Sequence, residues 1–363
     1  MDDVYRLILS TSMSGIIWGA NTVVVSLYLL SLHYSPLFIG VLFTLSILVS
    51  SVEGFIFSIL GDLYGRKKFA LLSRGLSAVF IFLFYLKFVY AYIFMVGWGS
   101  GSLISAIIAD KAKNLERVYS YQTSLNILFS VLGSSLPLFL SYSQIFLLEF
   151  VVSLISFSLL FTVREDYKGK IKLINLINVI KLSSLPTISK FLPEALIGFG
   201  AGLILPLMSL WFRLRFYVTA SDISPVFMSS QLTLALAVIY SSKLSEKLGM
   251  VKTIVYTHVV ATLLLFVLPF SPTFFVASVI YVLRNALMNM ASPVLVMSLI
   301  PRDERSRASS LIQLIDSLPR AFAPSLGGYL FNKGNLVLPF LITGALYFTS
   351  TIVFYSLFRN VKR

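Results

Sequence analysis

Three charged side chains fall inside apolar stretches that offer them little water: Arg284, Asp316 and Arg320. Asp316 and Arg320 are four residues apart, which on a helix places them on one face. Counted from Arg307, Asp316 lies about 13 Å along a helix axis, near the middle of a bilayer. Asn285 and Asn289 follow Arg284 within a turn or so. Charge buried in hydrocarbon is costly without a partner or a water-lined cavity. The chemistry open to such a set is recognition of an anionic group or passage of a proton, and it breaks no bond. The spacing predicts one polar cluster of Arg284, Asp316 and Arg320, either a permanent structural ion pair or a substrate and coupling site.

A second set lies nearer the N-terminus. Glu53 and Arg74 flank a charged turn at depths within reach of each other, so an ion pair is expected; a protonatable Glu53 is the other reading. Glu149 stands about two turns into its apolar run and is expected to reach the outer interface. Asn21, Trp18, Trp98, Gln122 and Asn126 are placed to line a cavity.

The elements that position these residues are twelve apolar segments, each near the roughly 20 residues a spanning helix needs. They fall at 6–31, 36–60, 69–87, 90–110, 118–140 and 144–163, then 192–213, 223–243, 252–270, 273–300, 307–331 and 336–358. Composition agrees: the chain is 57% hydrophobic and 12% charged, with a mean hydropathy of +0.89. The net charge of +14 could suggest nucleic acid. No nucleic-acid-reading motif accompanies it, and the lysines and arginines gather in alternate loops, from Arg6 to Arg359, Lys362 and Arg363. Only Lys87, Arg213, Arg215 and Lys333 fall in the intervening ones. That asymmetry predicts both termini in the cytoplasm. Between the halves, residues 171–181 alternate lysines and apolar residues at helical spacing, which predicts an amphipathic helix on the inner leaflet.

The chain contains no cysteine, which excludes disulfides and thiolate sites. Its two histidines, His33 and His258, have no serine at motif spacing, and no phosphate-binding Gly-x-x-x-x-Gly-Lys-Ser/Thr occurs. An enzyme, a nucleotide-driven pump, a cofactor and a metal site are all unexpected.

The turn Gly61-Asp62-Leu63-Tyr64-Gly65-Arg66-Lys67-Lys68 joins the second and third segments. It recurs in degraded form as Ser242-Lys243-Leu244-Ser245-Glu246-Lys247-Leu248-Gly249-Met250. Ser35-Pro36 recurs as Ser224-Pro225, and Glu116-Arg117 as Glu304-Arg305, at a nearly constant separation. Ordered matches of this kind indicate two parallel repeats.

The turn resembles the loop between helices two and three of the major facilitator superfamily, Gly-x-Leu-Ala-Asp-Arg-x-Gly-Arg-Lys-x. Ser58 takes the first glycine position, and Leu60, Asp62, Gly65, Arg66 and Lys67 stand at or near theirs. The resemblance implies an all-α membrane protein with twelve transmembrane helices in two six-helix bundles, 1–163 and 192–363, joined by a cytoplasmic amphipathic linker at 164–191. It also implies a cytoplasmic latch of Asp62, Gly65, Arg66 and Lys67 with Asp110, Glu116 and Arg117 as partners, and a weaker counterpart at Glu246 and Gly249. In many antiporters of the family helix four carries Arg-x-x-Gln-Gly. Here Met95-Val96-Gly97-Trp98-Gly99 stands in its place, and Arg284 occupies the symmetric position of the second half.

Glycines spaced by four, Gly15/Gly19, Gly97/Gly101 and Gly198/Gly202, permit close helix approach, as plain packing or as moving contacts. The function implied is secondary transport of a small organic solute in the plasma membrane, favouring proton-coupled export. Import or uniport, and a non-transporting sensor or lipid scramblase, are the alternatives. The expected partners are the substrate, membrane lipids and protons, with no nucleic acid, in a monomer.

Overall fold

The computed structural model describes residues 2–95, 100–112, 114–165, 184–288 and 305–359. The linker helix expected at 171–181 lies outside them. No strand occurs among the described residues. Among the described residues, eight helical stretches are long and apolar enough to cross a membrane: Asp3–Ser31, Pro36–Gly61, Arg66–Tyr85, Val89–Lys111, Tyr142–Phe161, Leu185–Phe216, Met250–Phe270 and Leu338–Phe358. At the other four expected positions the helices are more polar or described only in part.

The first half begins with α1 (Asp3–Ser12) and α2 (Ser14–Ser31), then α3 (Pro36–Tyr64) and α4 (Arg66–Tyr85). It continues with short α5 (Tyr92–Met95), α6 (Ser100–Lys111), α7 (Leu115–Ser135) and α8 (Tyr142–Phe161). The second half holds α9 (Glu194–Ile204), α10 (Met208–Phe216), α11 (Ala220–Leu248) and α12 (Met250–Val267). It ends with α13 (Phe274–Met288), α14 (Arg305–Asn332) and α15 (Leu338–Phe358).

Local sequence explains the ends. Proline opens α3, where its missing N–H costs nothing. Ser141 and Gln144 form a reciprocal cap at the start of α8. The repeated turn has the same backbone in both copies: Gly65 has φ 111° and Gly249 has φ 82°. Side-chain-bearing residues rarely adopt such angles, so each glycine lets the chain leave one helix and enter the next within a single residue.

The chain forms two compact units. The first gathers residues up to His33, those from Leu45 through the rest of the first half, and Ala220–Met228 at the start of α11. Its core is Leu7, Ala70, Ile104, Ile107, Ile108 and Leu160. The lent segment is bound by Ser221 Oγ, which donates to the Pro137 carbonyl at 2.8 Å, and by Ser224 Oγ, which donates to the Ser134 carbonyl.

The second unit gathers Tyr34–Thr44, the stretch ending at Thr219, and everything from Ser229. Its core includes Ile188, Phe191, Ile254, Phe354 and Phe358. Here the lent segment is the start of α3. The Ser325 N–H donates to Thr44 Oγ1 at 3.0 Å, and a Cβ on Gly40 would strike the Pro324 carbonyl. Each sequence half thus supplies one helix end to the other half's unit.

Large apolar side chains on the outside, such as Phe275 at 75% exposed and Phe55 at 63%, would be unfavourable in water. They suit a lipid surround, and in lipid only closed backbone hydrogen bonding of the helical kind is tolerated.

Candidate functional site

In the second unit a cavity of about 240 Å³ opens between five helices. It is lined by Glu194 of α9, His258 of α12, Arg284 and Asn285 of α13, Asp316 and Arg320 of α14, and Tyr347 of α15. Arg284, Asn285, Asp316 and Arg320, which the sequence grouped in this half, are all among its lining residues.

Their geometry begins with the packing of α9 on α14. A Cβ on Gly198 would strike the carbonyl of Asp316, and one on Gly202 the carbonyl of Arg320. The two glycines therefore let α9 rest on the very turn that carries the charges. Pro324, inside α14, has no N–H to give the Arg320 carbonyl, so the helix has already released that oxygen. On this turn Arg320 grips Asp316 with two nitrogens: Nη2 to Oδ1 at 2.8 Å and Nε to Oδ2 at 3.1 Å. Glu194 lies within electrostatic reach of both.

Arg284 does not join that pair. It is 1% exposed, donates from Nη2 to Tyr347 Oη at 3.0 Å, and stands 5.3 Å from the centre of the tyrosine ring. Its Nε has no partner, and no carboxylate among the described residues forms an ion pair with it. Among the described residues, this buried guanidinium on the cavity wall is met by a neutral hydroxyl alone. Asn285 is engaged elsewhere, donating from Nδ2 to Ser230 Oγ at 2.7 Å. Asn289 lies outside the described residues.

The first unit departs from expectation at two points. Glu53 and Arg74 form no ion pair: Glu53 Oε2 and Arg74 Nε are both buried without a partner. Equal depth on neighbouring helices does not set the direction in which each side chain points. Glu149 does not reach the interface. It is 0% exposed, both its oxygens lack partners, and it neighbours Asn21. In the same unit Tyr28, Phe84, Tyr142 and Phe146 form an aromatic cluster, with Tyr28–Phe146 centroids 5.0 Å apart and Phe84–Phe146 4.9 Å.

Asn126 lies where α7 meets α2, its carbonyl against Gly15, while Gly19 meets the carbonyl of Ser130. These glycine contacts lie within one unit. A Cβ on Gly101 would meet nothing within 4 Å, so it marks no close approach. Trp98 lies outside the described residues, and Trp18 is 60% exposed.

At the charged turn, Arg66 pairs with Asp110 at 2.7 Å. A residue the sequence did not single out, Glu165, accepts the backbone N–H groups of Arg66 and Lys67 at 2.9 Å each. A carboxylate there satisfies free donors at the start of α4 and suits the helix dipole. Lys67 Nζ donates to the Phe161 carbonyl. Arg117 turns back to Tyr121 Oη at 3.2 Å rather than to the turn. Glu246 is exposed and forms no ion pair among the described residues. The side chains of Asp62 and Glu116, and the whole of Glu304, lie outside the description.

Comparison with curated proteins gives no significant match. Solved structures do match over nearly the whole chain. The nucleoside transporter NupG has a TM-score of 0.77 at 14% identity, covering 99% of this chain and 100% of that one. The D-xylose–proton symporter gives 0.76 at 14%, covering 98% of each. A bacterial homologue of the iron transporter ferroportin, in an inward-facing state, gives 0.75 at 16%, again covering 98% of each. At these identities the likeness is one of fold, that of an integral, multi-pass membrane protein. The model of the Major Facilitator Superfamily matches residues 7–190 and again 191–363, one copy for each sequence half. The chain belongs to the Major Facilitator Superfamily.

Proposed function

We propose that this protein is a secondary transporter that carries a small organic solute with an acidic group across the plasma membrane by alternating access. The proposal includes twelve spanning helices, cytoplasmic termini, and bundles at 1–163 and 192–363 joined by the 164–191 linker. One observation carries the choice of solute. Arg284 is buried on a cavity wall with a neutral tyrosine as its hydrogen-bonding partner, whereas Arg320 beside it is matched by Asp316. A guanidinium without a counter-charge in such a place is stabilised by an anion that binds there.

Proteoliposomes loaded with labelled organic acids test this directly. Arg284→Gln is expected to abolish transport of the acid that the wild type carries; unchanged transport by the variant would sink the proposal. Export driven by a proton gradient is the proposed direction. Flux measured with the gradient imposed in each orientation, and with none, separates export from import and from uniport. Binding without flux would identify a sensor.

A further inference from the structure

The same cavity holds a polar side chain that the preceding proposal leaves unused. His258 of α12 is 5% exposed and lines the wall that Arg284 also lines. The Met288 backbone lies close to its ring, and its Nε2 is buried without a partner. With the ring proton on Nδ1, toward that backbone, a neutral His258 presents a lone pair at Nε2. Arg284 is within electrostatic reach of this ring, and its own Nε is also unpartnered. One unmatched donor group and one unmatched acceptor therefore belong to residues that line the same cavity within electrostatic reach of each other.

Most of the other polar groups are engaged, and Glu194 lies within electrostatic reach of the Asp316–Arg320 pair. Asp316 and Arg320 hold each other, Tyr347 accepts from Arg284, and Asn285 donates to Ser230. The space is small: about 240 Å³ compares with roughly 30 Å³ for each water in the liquid.

We propose that Arg284 and His258 together recognise a small organic acid bearing a hydroxyl or amino group beside its carboxylate. This rests on Arg284 as the acid-binding residue. The carboxylate meets the guanidinium, and the neighbouring O–H or N–H donates to His258 Nε2. An acid lacking that donor displaces water and leaves Nε2 unmatched. A site built to hydrogen-bond one group rejects the analogue without it far more strongly than an apolar pocket rejects a missing methylene.

The test uses the full-length protein in detergent, with binding read by thermal shift and by isothermal titration. The probes are propionate, lactate and alanine, which share three carbons, and the larger pair phenylacetate and mandelate. Lactate or alanine is expected to bind at least about tenfold more tightly than propionate, and mandelate more tightly than phenylacetate. Lactate against alanine shows whether the donor is hydroxyl or ammonium.

His258→Phe is expected to erase the preference while keeping the weaker, Arg284-dependent binding of propionate. His258→Leu makes the same comparison if the phenylalanine variant does not fold. Equal binding of donor-bearing and donor-free acids by the wild type, or a preference that survives in His258→Phe, overturns the inference and leaves the role of Arg284 intact. No binding of any acid by the wild type overturns both.

Discussion

Gly198 of α9 rests against the backbone carbonyl of Asp316, leaving no room for a Cβ between them. Gly202 does the same at Arg320 one turn on. The paired glycines and the ion pair are thus two sides of one contact. Gly198→Ala should push α14 away, costing about 1–3 kcal/mol of stability and weakening ligand binding. The check is the melting temperature of the purified variant. Gly101→Ala is the control, because a Cβ there meets open space and should leave the melting temperature where it was.

The repeated turn offers a test of backbone equivalence. Gly65 and Gly249 both adopt positive φ in the residue that separates two helices. An alanine at either place should cost about 1–3 kcal/mol, since such angles are essentially reserved for glycine. Thermal unfolding of Gly65→Ala and Gly249→Ala is expected to fall by similar amounts. A Gly249→Ala protein as stable as the wild type would mean that the second turn tolerates ordinary backbone and is not a structural copy of the first.

Glu149 is buried with both oxygens unmatched, beside an Asn21 whose Oδ1 is also unmatched. An amide at position 149 keeps the shape, removes the possibility of a buried charge, and can donate to Asn21. Glu149→Gln is therefore expected to fold normally and to melt at or above the wild-type temperature, with a gain of up to about 1 kcal/mol. Glu149→Lys should not yield folded protein. A marked loss of stability in Glu149→Gln would show that the acid makes a bond an amide cannot supply.

These cases show what the sequence made legible. Lengths of apolar runs, the doubled turn and the four-residue spacing of Asp316 and Arg320 are local properties, and they led to the helices, the repeat and the ion pair. Glu194, His258 and Tyr347 were invisible as site residues because they come from three separate helices and meet Arg284, Asp316 and Arg320 only through packing. His258 could have been flagged as a lone histidine within an apolar run, but nothing local linked it to Arg284. The Glu53–Arg74 and Glu149 readings failed for a related reason. Sequence position gives depth along a helix; the direction a side chain faces is set by the helices packed around it.

The Asp316–Arg320 pair can be separated from the recognition role of Arg284 by a double-mutant cycle. The pair is partly exposed, 32% for Arg320 and 27% for Asp316, so its loss should cost less than that of a fully buried pair. Asp316→Asn alone removes the charge that neutralises Arg320 and should cost about 1–2 kcal/mol. Arg320→Met alone should cost a similar amount, because it strands Asp316 near Glu194. The double variant should be more stable than the sum of the two losses, since each substitution removes the partner whose charge the other exposes. Arg284 keeps its bond to Tyr347 in all three proteins, so acid binding at Arg284 should persist in the double variant. If the losses simply add, the two residues do not act as a pair. If acid binding disappears together with the pair, the salt bridge itself holds the ligand, and the guanidinium of Arg284 does not suffice for it.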